Sequence, residues 1–466
     1  MLPCQGRCRE FEPRLPLHLK TFRKDRQRSL FFRKTGQNTF FGVLTDDFGE
    51  FYLKTGYKTL VKTWQKALSM VYSTKFLLNK VQNVSDKTKG NKYQKGTVLL
   101  VEPNNCHTEL LPSYVKYLKD LGYEVEIAVS VNQKGFLPEL LGVKKIYFLM
   151  LKSMRALFKT EKLKDYELVI FTSYRLYYPR PNEPNPALRP YSTISEQFEI
   201  KYPPRLGALF VLHHLEDYDE TIKNAPCAVV LADILRKEEN LYTINPCYFT
   251  ENTPKNKAGC AKTRVDGNPA GIQKTVQKTA KKTIFITTGI LNPDRKNADL
   301  LFSTARSLIQ NGVKDFEIKV VGDNKKNIVP KDLKRYIEIK GRLDFKRLYK
   351  ELQTSDFYLP LLDPDLKEHK RYLENGTSGS FQLIRGFLLP PVIHKTFAEA
   401  YNFNSSNSII YKDNEDMQKA MEKAVNTDNE RYLALQNELL NSREEIIKTS
   451  IGTLQTLFET LEERKL

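Results

Sequence analysis

The sequence predicts an α/β protein made of two parallel-sheet units behind a basic N-terminal extension. Three observations carry that expectation. Short runs rich in Val, Ile, Leu and Phe recur from residue 97 onward and alternate with helical stretches, the pattern of successive βα units. The alternation stops over 251–282, a Lys/Thr/Asn-rich stretch without periodicity that reads as a partly disordered linker. Charge is uneven as well: of a net +19, residues 1–95 carry 20 Lys and Arg against 7 Asp and Glu, a net of +13. The divisions that follow are 1–95 as extension, 96–250 as first unit, 251–282 as linker, 283–430 as second unit and 431–466 as closing helices.

The first unit opens with Thr97-Val-Leu-Leu-Val101, a buried strand. The polar loop Glu102-Pro-Asn-Asn-Cys-His107-Thr-Glu follows, and then a helix from Leu110 to Leu121 that stops at Gly122. Glu124–Val129 is the next strand, and later ones are read at Lys145–Leu149, Leu168–Phe171, Ala208–Leu212, Ala228–Ala232 and Tyr242–Pro246. This is the start of a Rossmann-like half, but its first loop lacks the GxGxxG of dinucleotide binders. That loop is therefore expected to face an acceptor rather than a pyrophosphate.

The second unit repeats the pattern. Strands are read from Thr283 to the turn at Gly289, from Phe316 to the turn at Gly322, from Ile337 to the turn at Gly341 and over Asp356–Leu362, with helices over Ala298–Gln310 and Phe345–Thr354 between them. An apolar helix and a short buried strand through Pro390-Pro-Val-Ile come after. From Asn414 the chain is helix-forming, with Leu433, Leu435, Leu439 and Leu440 set among charges. A closing helix competes here with a coiled-coil or dimer helix, for which the repeat is short.

Composition excludes several classes. No run approaches 18 apolar residues, so no membrane span is expected, and the N-terminus lacks the apolar core of a signal peptide. The six cysteines form no CxxC pair and read as reduced thiols of a cytoplasmic protein. In the extension, Lys58, Lys62 and Lys66 recur every four residues, with Leu60, Trp64, Leu68 and Val71 on another face. Such a basic amphipathic helix either packs on the body with a solvated lysine face or lies on an anionic membrane surface as a peripheral contact. No nucleic-acid motif accompanies the charge, so nucleic acid is not expected as a partner.

Candidate site residues come from two places. Ligands of open α/β sheets gather beyond the carboxyl ends of strands, and His213 and His214 stand where the Ala208–Leu212 strand ends. A strand-end histidine bonded to a neighbouring carbonyl is the competing reading, and His107 in the first loop has a similar claim. Adjacent histidines without a suitably spaced third ligand do not suit zinc, and no metal is expected. The second place is Glu374-Asn-Gly-Thr-Ser-Gly-Ser-Phe-Gln382, an acidic residue and an amide eight positions apart across a Gly/Ser-rich turn. Small residues there, Gly376, Thr377, Ser378 and Gly379, let backbone N–H groups approach a diphosphate at a helix N-terminus.

This stretch resembles the retaining GT-B-fold glycosyltransferases of the family 4, or group 1, type. It resembles more loosely the bacterial enzymes that build capsule or lipopolysaccharide glycans. The mark of that family is two glutamates separated by seven residues before a Gly-x-Pro-Val-Ile turn. Glu374 matches the first and Gln382 replaces the second, which in the family usually binds the nucleotide ribose. Gly289 opens the segment Gly289-Ile-Leu-Asn-Pro293-Asp-Arg295-Lys296, similar to the family's loop whose Arg and Lys hold the donor diphosphate. Lys296 has the matching spacing; the family's Arg position is Ile290, so Arg295 is expected to supply the second charge.

The resemblance spans residues 283–430 and implies a GT-B fold, with two Rossmann-like domains facing a cleft and a last helix that crosses back. It implies a hexosyltransferase-like enzyme that retains configuration and uses a nucleotide-sugar donor and a glycan or lipid-linked acceptor in cell-surface polysaccharide synthesis, without metal or cofactor. Asp363-Pro-Asp365 has the spacing of the Asp-x-Asp metal motif of the other glycosyltransferase fold, but it follows a strand of the second unit, where that fold would not put it. The competing reading is a GT-B-shaped protein without transfer, a nucleotide-sugar epimerase or binding subunit, favoured by Ile290 and Gln382.

Overall fold

A computed structural model of the 466-residue chain describes residues 95–177, 192–247, 252–257, 282–292, 295–325 and 328–465. Within a separate unit over Arg14–Asn83, two two-residue strands, Lys34–Thr35 and Asn38–Thr39, pair antiparallel. The Lys-faced helix expected around Trp64 lies outside the described residues.

The first half is a seven-stranded, wholly parallel sheet. Its strands are β1 (Thr97–Glu102), β2 (Glu124–Ser130), β3 (Lys145–Leu149), β4 (Leu168–Phe171), β5 (Ala208–Leu212), β6 (Ala228–Val230) and β7 (Leu241–Thr243). They lie in the order β7-β6-β5-β4-β1-β2-β3. Strands buried on both faces read as continuous apolar runs, and the side chains of Val98 to Val101 are fully enclosed. α1 (Leu111–Asp120) returns the chain from β1 to β2, with Pro in its first turn and Gly122 at φ 87° just past its end.

The last two strands of this sheet are shorter than their sequence runs. Leu231 and Ala232 leave the ladder and lead into the 3-10 turn Asp233–Leu235, and β7 stops before Pro246, which has no N–H to give a ladder.

The second half repeats the plan. β8 (Thr283–Thr288), β9 (Phe316–Val321), β10 (Ile337–Gly341) and β11 (Phe357–Tyr358) form a parallel sheet in the order β10-β9-β8-β11. A parallel bridge from Tyr358 to Pro391 continues it into the parallel pair β12 (Val392–His394) and β13 (Ile409–Tyr411). Both sheets therefore reverse strand order beside their first strand. That reversal opens a crevice at the carboxyl ends of β1 and β4 in one half and of β8 and β11 in the other. β10 ends at the turn of Gly341, φ 70°. Where β8 and β9 end, the turns touch: a Cβ on Gly322 would stand 2.2 Å from the Gly289 carbonyl oxygen. No side chain fits that contact.

Five further helices matter for the site: α2 (Ala298–Gln310), α3 (Phe345–Gln353), α4 (Lys367–Glu374), α5 (Gly379–Phe387) and α6 (Asp416–Asn426). Asn297 and Asp344 cap α2 and α3 by accepting from Leu300 N and Arg347 N. In the stretch read as linker, 252–257 is ordered against the second half. Lys257 Nζ donates to the carbonyls of Ala424, Val425 and Thr427 at 2.7–2.9 Å, a cation at the negative end of α6.

The 35-residue α7 (Asn429–Glu463) packs on both halves. Its first turns hold the second half, where Tyr432 donates to Asp356 O and Gln436 to Leu388 O. Its last turns reach the first, where Ser450 accepts from Asn245 N and Phe458 stacks on Tyr123 at 4.4 Å. No described helix is long and apolar enough to cross a membrane.

Candidate active site

Glu102 ends β1 and points into the first crevice, fully buried. Its Oε1 accepts from Asn104 N at 2.9 Å, and its Oε2 from Thr172 Oγ1 at 2.9 Å and Ser173 Oγ at 2.6 Å. Burial pushes its carboxyl up to about 7, against the pull of His107 and of these hydrogen bonds. His213, first residue past β5, reaches the same place, with Nε2 2.8 Å from Thr172 O and 3.3 Å from Ser173 Oγ. A carbonyl only accepts, so Nε2 carries the proton and Nδ1 is left as the acceptor. Burial holds this imidazole well below its usual range, with His107, His214 and Arg175 adding to the effect. It is neutral at physiological pH.

His107 joins from the first loop. It adopts φ 67°, rare for a residue with a side chain, and its ring lies 4.2 Å from that of His213. Its Nδ1 stands 3.4 Å from Glu109 Oε1, while Glu109 Oε2, also buried, has no hydrogen-bond partner among the described residues.

His214 meets the other half. It forms an antiparallel bridge with Gly376, and Leu215 N donates to Asn375 O at 2.8 Å. A Cβ on Gly376 would come within 2.9 Å of His214 Nδ1, so any larger residue there would displace the His214 ring. Burial, then the charges of Arg175, Arg371, His107 and Arg295, hold His214 down to about 3. Arg175 itself is paired with Asp217 and lies 3.6 Å from Glu216.

In the second crevice Lys296 is buried, with Nζ donating to Pro360 O at 2.7 Å and Ser380 Oγ at 2.9 Å. Ser380 is in the first turn of α5, and Ser378 caps that helix by accepting from Ser380 N. Tyr358 OH donates to Ser380 Oγ at 3.1 Å and lies 2.6 Å from Thr288 Oγ1. Gly289 follows Thr288, its carbonyl held by Asn324 Nδ2. Lys296, Ser378 and Gly379 are thus gathered at one helix N-terminus at the switch point, whereas Gly289 packs against the end of β9 and the turn after it.

Glu374 and Gln382 do not share a pocket. Glu374 is exposed at the end of α4. Gln382 is buried on α5 and lines a small pocket with Thr377, Arg385, Asn245 and Cys247 between the halves, where its Nε2 has no partner among the described residues.

Asp363 is not presented to a metal. Asn297, Asn414 and Asp365 N all donate to it, and although burial raises its pKa these bonds hold it below the usual range. Among the described residues no three His, Cys, Asp or Glu side chains are grouped to hold a metal ion.

Glu102, Thr172, Ser173, Glu109, Tyr358 and Ser380 were not singled out by sequence reasoning. One usable signal was Glu102, an acidic residue that continues an apolar strand run to the crevice.

No family model matches the chain, and no curated protein does either. Solved structures similar to it include the Candida albicans trehalose-6-phosphate phosphatase N-terminal domain, at 10% identity over 80% of this chain and 98% of that one, with a TM-score of 0.44. Anabaena Alr3699/HepE, solved with UDP and glucose, is similar at 11% identity over 78% and 99%, with a TM-score of 0.47. The lipopolysaccharide outer core galactosyltransferase WaaB is similar at 8% identity over 77% and 99%, with a TM-score of 0.42. By its own topology, with two Rossmann-like halves facing a cleft and a final helix packed on both, the chain has the GT-B fold.

Proposed function

We propose that the chain is a glycosyltransferase that moves a sugar from a nucleotide-sugar donor to a hydroxyl of a glycan or lipid-linked acceptor. The observation that carries this reading is Lys296, a buried ammonium at the N-terminus of α5, at the switch point of the second sheet. A helix N-terminus and a cation together favour a diphosphate, whose charge grows as the sugar leaves. Arg295 adds a second charge in this reading, and the diphosphate is neutralised by the protein rather than by a metal. His213 and His214, both neutral, offer ring nitrogens to sugar hydroxyls without competing for the phosphate charge. Hexosyl transfer with retention, in cell-surface polysaccharide synthesis, is the form of the reaction that the sequence resemblance supports.

Calorimetry with a panel of nucleotide sugars, followed by product analysis, tests the reading. Lys296→Ala should lower turnover by on the order of 10²-fold, as when one charged transition-state contact is removed. Near-normal kinetics in that variant would remove Lys296 from the site, and binding of no nucleotide sugar by the wild-type protein would sink the reading. The +13 of residues 1–95 supports a peripheral position on the inner face of an anionic membrane, where lipid-linked acceptors would be met. Co-sedimentation with liposomes should then require anionic lipid, weaken with salt and vanish on deletion of 1–95; equal binding to neutral vesicles would refute it.

A further inference from the structure

Two buried carboxyl groups stand at the first crevice, and they differ in one respect. Every oxygen of Glu102 is satisfied, by Asn104 N on one side and by Thr172 and Ser173 on the other. That is how a structural buried carboxyl is held. Glu109 is buried to a similar degree, 5% exposed, yet only Oε1 is engaged, by His107, and Oε2 has no partner among the described residues. Leaving a buried acceptor unmet carries a stability penalty, and such an exception calls for a reason in function.

The surroundings of Glu109 indicate what meets it. His107 Nδ1 stands against Oε1 alone, which leaves Oε2 open, and the His107 backbone is held at φ 67°, the kind of strain that gathers at ligand sites. The His107 ring packs on His213, the strand-end histidine of the cleft. On the other side is α3 of the second half, where burial and the charge of Glu109 together raise the Tyr349 hydroxyl well above the usual range. Glu109 thus sits near the second half, just after β1, in the loop that the sequence reading assigns to an acceptor. A carboxylate oxygen accepts, so the occupant that suits it brings a donor.

We propose that Glu109 is an acceptor-binding residue whose unpartnered Oε2 receives a hydroxyl of a neutral sugar held in the cleft beside His213. This rests on the glycosyltransferase reading. His107 is the positioning residue of the pair, and it acts by orienting the carboxyl group.

The test uses the full chain and methyl α-D-glucoside, methyl α-D-galactoside and methyl α-D-mannoside as probes, titrated by ligand-observed NMR with and without UDP. The wild-type protein should bind at least one glycoside, and Glu109→Gln and Glu109→Ala should weaken that binding roughly tenfold or more while leaving UDP binding unchanged. A residue kept for binding rather than stability also predicts that Glu109→Gln melts at or above the wild-type temperature. A variant that binds glycosides as the wild type does, a wild type that binds none of the three, or a Glu109→Gln melting temperature several degrees lower would each overturn the proposal. Because the glycoside titration is repeated without nucleotide, a failure to bind UDP overturns only the donor reading.

Discussion

Replacing Glu102 with Gln should make the protein more stable at alkaline pH and leave it nearly unchanged in acid. Glu102 is fully buried, and its carboxyl titrates near 7 in the folded chain against an ordinary value of 4.5. Between those values the folded state binds the extra proton. The stabilising contribution of the protonated group is therefore fully present below pH 4.5 and is lost as pH rises through 7. A difference of about 2.5 pH units at about 1.4 kcal/mol each puts the loss on the order of 3 kcal/mol. Gln has nearly the same shape and does not titrate, so wild type and variant should be equally stable near pH 4.5 and differ by that amount above pH 8. Denaturant unfolding of both proteins at the two pH values measures it. The acid sensitivity of the neutral, buried His369 of the second half cancels in the comparison, since it is present in both proteins and shares no hydrogen-bond partner with Glu102. Stability curves that run parallel from pH 4.5 to 8 would refute the reasoning, and so would a variant weaker by the same margin throughout.

The two residues that carry the family spacing make a paired prediction. Glu374→Ala should weaken nucleotide-sugar binding in calorimetry, and unchanged binding would leave Glu374 as a helix-end residue. Gln382→Glu should be tolerated and should raise the melting temperature, because it sets a carboxylate one turn before Arg385, whose buried guanidinium is pushed down to about 10 by desolvation. Loss of folding in that variant would mean that the pocket does not bring the two side chains together.

Much of the fold was legible because its signals are local. Val98 to Val101, Val169 to Phe171 and Phe285 to Ile286 read as strands because β-branched and aromatic residues suit a sheet covered on both faces. The end of α1 was legible from Gly122, since a residue without a Cβ adopts positive φ at no steric cost. Where the local signal was mixed a strand end moved: Leu231 and Ala232 are apolar enough to continue a strand, and they leave it to enter a 3-10 turn instead.

The site was legible in part for the same reason. A histidine just past a strand, a lysine seven residues after a glycine and a Gly/Ser turn before an apolar helix are patterns within one short segment. Short-range pattern was enough for the α/β class, the doubling of the unit and the neighbourhood of the candidate residues. Which of them meet depends on how the strands are ordered in space. Glu102 and Ser173 are 71 positions apart and Lys296 and Ser380 are 84 apart, and strand order alone brings each pair to a switch point. Periodicity reports which face of an element is buried, but not which strand lies beside it. The proton affinities of Glu102 and His214, and the exposure of Glu374 against the burial of Gln382, likewise depend on how completely both halves exclude water.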